Sequence, residues 1–126
     1  MTGEVHVGNA EVDGPSRRGW LVGHFMEPDD PRHETGVEVK WGAHPAGEER
    51  PEWVAAESRS ALILLVEGRF TVELPSRRVR LERRGDYVLF RGVPHTWRAE
   101  EDSVLVVVRW PSLEGYGAGG PELPVA

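Results

Sequence analysis

This sequence predicts an all-β fold, a sandwich or barrel of short strands. Three observations carry that reading. Runs of about five to eight residues, apolar throughout or alternating apolar with polar, recur along the chain. Nearly every run is closed by Gly or Pro. No stretch keeps a helical period beyond roughly one turn, which leaves stacked strands as the way to build a core.

The elements follow in order. Residues 1–18 are polar and Gly-rich and read as a loose arm, with one short edge strand around Val5 to Val7. Trp20 to Met26 is the first convincing strand, and Glu27 to Gly36, with two prolines and a closing glycine, is a loop. Val37 to Ala43 alternates, and His44 to Pro51 returns to turn chemistry. Ala61 to Glu67 and Arg69 to Leu74 form a hairpin pivoting at Glu67-Gly68. Arg77 to Leu81 alternates; Gly85-Asp86 turns the chain into Tyr87 to Phe90; Thr96 to Ala99 and Ser103 to Trp110 complete the set. Residues 19–112 are thus the folded domain, with eight to ten strands expected, and residues 113–126 a Gly/Pro-rich tail, loose or draped over it.

Composition bounds the function. At 126 residues and 14.1 kDa the chain is one domain, and 39% hydrophobic with 29% charged residues suits a globular protein. The absence of cysteine removes disulfide scaffolds, thiolate metal sites and thiol nucleophiles. A net charge of −6 argues against nucleic acid as the main partner. No apolar run reaches the ~20 residues of a membrane span and no leader-like stretch opens the chain, so the expected location is the cytoplasm, away from the membrane.

Two composition details point to chemistry. Of fifteen basic residues only Lys40 is lysine, so an ammonium is wanted there or has survived by chance at a solvated strand position. The five tryptophans suit an aromatic ligand wall or a core, the core being expected for at least three.

The stretch from Gly47 to His95 resembles the cupin superfamily of small jelly-roll barrels. PAG with Gly47 looks like the opening of the first cupin motif, LLVEGRFTVEL with Gly68 like its closing hairpin, and GDYVLFRGVPHTW with Gly85, Gly92 and His95 like the second motif. WGAHPAG (residues 41–47) and RWPS (residues 109–112) are similar to the opening and ending of short actinobacterial cupins. The resemblance implies a jelly-roll, or double-stranded β-helix, barrel that handles a small molecule. The ligand positions depart from the pattern. Trp53 and Ala55 stand where a His-x-His pair belongs, Ala61 where a glutamate belongs, and Ala99 replaces an asparagine, so of the usual three His and one Glu only His95 remains.

The candidate residues follow from this. His95 is the expected general acid or base, since imidazole titrates near neutrality. A divalent metal (Fe, Mn, Ni or Zn) is expected only from a non-standard set of His44, Glu57 and His95, the alternative reading being a metal-dependent oxygenase. His24 reads as a packed strand residue. Lys40, a second catalytic candidate, shares a strand face with Glu38. If that face looks inward, Lys, Glu and His could stabilise an enolate or abstract a proton beside a carbonyl. If it looks outward, Val37, Val39 and Trp41 fill the core, as alternation alone favours. Trp53, Trp97, Glu38 and Arg50 are the expected substrate contacts. The arginines at 77, 78, 80, 83 and 84 read as a solvated face.

The expected function is therefore that of a lyase, dehydratase or isomerase acting on a polar metabolite, with a non-catalytic ligand-binding barrel, sensor or carrier, as a further alternative. Exposed tryptophan and the Val104 to Val108 run lead to the expectation of a homodimer, which sedimentation would test.

Overall fold

The computed structural model describes residues 3–113. Its strands are β1 (Trp20–Val22), β2 (Glu38–His44), β3 (Ser60–Glu67), β4 (Phe70–Leu74), β5 (Arg77–Leu81), β6 (Tyr87–Arg91), β7 (Thr96–Ala99) and β8 (Ser103–Trp110). They form a five-stranded sheet, order β1-β2-β8-β3-β6, and a three-stranded sheet, order β5-β4-β7. From β2 onward each strand matches its expected segment to within a residue. The chain divides into two compact units: Met1–Trp41 with Arg109–Ala126, and Gly42–Val108.

In the second unit, alternation decides what is buried. β3 pairs antiparallel with β6 (Ile63 opposite Val88), and β4 pairs with both β5 (Val72 opposite Val79) and β7 (Val72 opposite Trp97). The residues turned inward by the pleat close into one core of Ala61, Ile63, Leu65, Phe70, Val72, Leu81, Phe90, Trp97, Ala99 and Leu105. Ala61, at the position of a missing cupin ligand, is part of this apolar cluster. The hairpin between β3 and β4 requires Gly68: its φ is +100° and a Cβ there would collide with the Asp102 carbonyl oxygen.

The outer face of the small sheet accounts for the arginine-rich hairpin. Arg78 pairs with Glu73 across the strands at 3.1 Å, and Arg98 with Glu49 at 2.7 Å. These are exposed cross-strand pairs, as a solvated face would carry. The turn before β6 is tied by Asp86, whose Oδ2 accepts from the backbone N–H of Arg83 (2.9 Å) and Glu82 (3.0 Å). Those two donors hold its carboxyl below the usual 3.8. A depressed folded value stabilises the fold above the unfolded value and stops doing so as pH falls through the folded one. The urea midpoints of wild type and Asp86→Asn should therefore converge as pH drops below about 3.8, where the unfolded carboxyl takes up its proton.

The first unit departs from expectation at its start. No strand forms at Val5 to Val7, both of which are exposed. A one-turn helix, α1 (Ala10–Asp13), follows, capped by Asn9, whose Oδ1 accepts from the N–H of Glu11 (2.9 Å) and Val12 (3.3 Å). A single turn is too short to show periodicity in a sequence. β1 is also shorter than expected: it ends at Val22, and residues 23–26 turn away. The expected tail, beyond Leu113, lies outside the described residues.

Candidate functional site

β2 positions the most unusual side chains in the chain. Its burial alternates so that Glu38, Lys40, Gly42 and His44 are buried while Val39 and Trp41 are only half-buried and Ala43 is exposed. The sequence left the facing of this strand open, and hydrophobicity alone favoured the opposite choice. Glu38 is 0% and Lys40 3% exposed.

In the first unit the Glu38 carboxylate is held at both oxygens. Arg109 Nε lies 2.7 Å from Oε1, and Ser112 Oγ donates to Oε2 at 2.8 Å. Ser112 Oγ in turn accepts from the backbone N–H of His24 (3.0 Å) and lies 2.6 Å from His24 Nδ1. Lys40 Nζ and the Arg109 guanidinium both sit at the Trp20 ring, 5.1 and 4.8 Å from its centroid, in cation–π geometry. Sequence reasoning identified Glu38 and Lys40. It missed the roles of Arg109, Ser112 and His24, although the RWPS segment that supplies two of them was visible.

The second unit contributes histidines against aromatic rings. His44 is buried, its Nδ1 in a short contact with the Glu48 carboxylate. Its ring packs on Trp97 (4.7 Å between centroids) and Phe70 (5.7 Å), which are themselves stacked at 5.2 Å. His95, half-buried at the entry to β7, lies against Phe90 at 4.7 Å, and its backbone exchanges two hydrogen bonds with Val54 (2.7 and 3.1 Å). Arg50 is half-buried and its carbonyl accepts from Thr96 Oγ1 at 2.6 Å. Trp53 is 47% exposed, so of the five tryptophans only Trp20 and Trp97 are fully buried, where at least three were expected.

Comparison with solved structures adds to this picture. The chain is similar to KdgF from a Halomonas species (TM-score 0.58, 23% identity, 65% of this chain and 74% of that one). It is similar to a cupin protein from Bacteroides fragilis (TM-score 0.54, 23% identity, 65% and 73%). It is also similar to an RmlC-like cupin from Desulfovibrio desulfuricans (TM-score 0.56, 19% identity, 64% and 77%). The chain has the cupin fold. No protein-family model and no curated protein matches it.

The cupin resemblance raises a metal centre, and the donor set tests it. Among the described residues no three His, Asp or Glu side chains gather closely enough to hold a metal. The expected trio of His44, Glu57 and His95 is accordingly not brought together as a ligand group. His44 Nδ1 is engaged with Glu48, and Glu57 Oε1 accepts from Arg59 Nε at 2.8 Å. These residues do not fit the non-standard centre that the sequence suggested. Ionisable side chains are instead buried against other residues of the chain, along β2 above all.

Proposed function

We propose that this cupin binds a small polar metabolite in the cytoplasm and performs acid–base chemistry on it, of the lyase, dehydratase or isomerase kind. Lys40 contacts the substrate, with Glu38 beside it on the same face of β2. The supporting observation is the burial of Glu38, Lys40 and His44 along one face of β2. Taking an ionised carboxylate or ammonium out of water costs several kcal/mol per ion even after relaxation. Val37, Val39 and Trp41 on the other face were available to fill a core at no such cost. Burying the charged face at that cost suits a ligand site, and a carbonyl or carboxylate substrate is the chemistry that a lysine recognises.

The test follows proton abstraction directly. Pools of small metabolites carrying a C–H beside a carbonyl are incubated with the protein in D2O, and deuterium incorporation or elimination is followed by NMR. At least one pool should react, with the rate falling about 100-fold or more in Lys40→Met. Binding of a pool member without exchange would replace the enzyme reading with that of a ligand-binding barrel. Neither binding nor exchange would overturn both.

A further inference from the structure

The hydroxyl of Ser112 sits between an imidazole and a fully buried carboxylate, and its hydrogen-bonding capacity limits how protons can be arranged there. A serine hydroxyl has one proton to donate and two lone pairs with which to accept. One lone pair is taken by the His24 backbone N–H (3.0 Å). The remaining lone pair and the single proton must serve Glu38 Oε2 (2.8 Å) and His24 Nδ1 (2.6 Å) between them.

Two patterns satisfy all three partners. In the first, His24 Nδ1–H donates to Ser112 Oγ, and Ser112 donates to an ionised Glu38. In the second, a protonated Glu38 donates from Oε2 to Ser112, and Ser112 donates to a bare Nδ1. The two differ by one proton shifted along each hydrogen bond. We propose that His24, Ser112 and Glu38 form a proton relay, with His24 the exchange point with solvent and Glu38 the buried acid or base.

The step balances. Imidazolium at His24 passes its Nδ1 proton to Ser112 Oγ while the Ser112 proton moves to Glu38 Oε2. The products are neutral imidazole protonated at Nε2 and a carboxylic acid. A solvent proton gained at Nε2 is thereby delivered at Oε2 without any side chain moving. Exposure sets the direction of supply: the His24 side chain is 17% exposed and that of Glu38 0%. Arg109 Nε, 2.7 Å from Oε1, reserves that oxygen for the ion pair and leaves Oε2 as the protonation site. Lys40, on β2 and at the same Trp20 ring as Arg109, adds a further charge to this cluster.

This inference deepens the acid–base reading above by giving Glu38 a route to solvent, but its test needs no substrate, so it stands or falls separately. Protein carrying 13C at the Glu carboxyl carbons is followed by infrared spectroscopy after a rapid pH jump, the Glu38 band being assigned by its loss in Glu38→Gln. Ser112→Ala should slow the change at Glu38 by about 10-fold or more, and Ser112→Thr should restore the wild-type rate. An unchanged rate in folded Ser112→Ala would overturn the relay. So would a Glu38 band that does not respond to the jump.

Discussion

Arg109→Met should destabilise the protein by about 3–5 kcal/mol, because it takes an ion-pair partner from a buried carboxylate. Glu38 is completely buried, and Arg109 is its partner at Oε1, 2.7 Å away. Ser112 donates to the other oxygen but carries no charge to balance it. The double variant Arg109→Met with Glu38→Leu should recover most of the loss, since removing both members of a buried pair is often near neutral. Urea unfolding of the single and double variants measures both effects. A single-variant loss below about 1 kcal/mol would place this pair among the weak surface ion pairs, against its burial.

The second large effect is expected at Trp97. Its ring is 4% exposed and stacks on Phe70 at 5.2 Å with the His44 imidazole 4.7 Å away. Trp97→Ala opens a cavity bounded by β4 and the end of β2, and should cost about 3–5 kcal/mol. For a chain of this size that corresponds to a fall in Tm of roughly 10 °C or more. Trp97→Phe, which keeps an aromatic face against Phe70, should lose distinctly less. Thermal unfolding by circular dichroism separates the two. Equal losses would mean that volume at this position matters little and the hydrogen-bonding tip of the indole matters more.

The fold was legible because its punctuation is local. Gly47, Gly68, Gly85 and Gly92 all adopt positive φ, so each turn had a residue-level cause that a sequence displays. The alternation in β4 and β5 was equally readable, since the apolar residues of both strands pack into a shared core. What could not be read was the facing of β2. A partner that makes it possible to bury Glu38 lies far along the chain: Ser112 is 74 residues away. Periodicity weighs a strand by its own residues and so favoured Val37, Val39 and Trp41 for the core. The His44–Glu48 contact spans only four residues and was visible as spacing, but outside a helix i,i+4 spacing carries no geometric expectation.

The account rests on the charged face of β2 being kept for a small polar ligand, and ligand-linked stabilisation of wild type against Lys40→Met tests that most directly. A ligand that binds the folded state alone, at about 100 times its Kd, adds roughly 2.7 kcal/mol. At least one pool of carbonyl or carboxylate metabolites should therefore raise the Tm of wild type by several degrees and leave Lys40→Met unmoved. Equal shifts in both proteins, or no shift from any pool, would contradict the account and return Glu38 and Lys40 to a purely structural role.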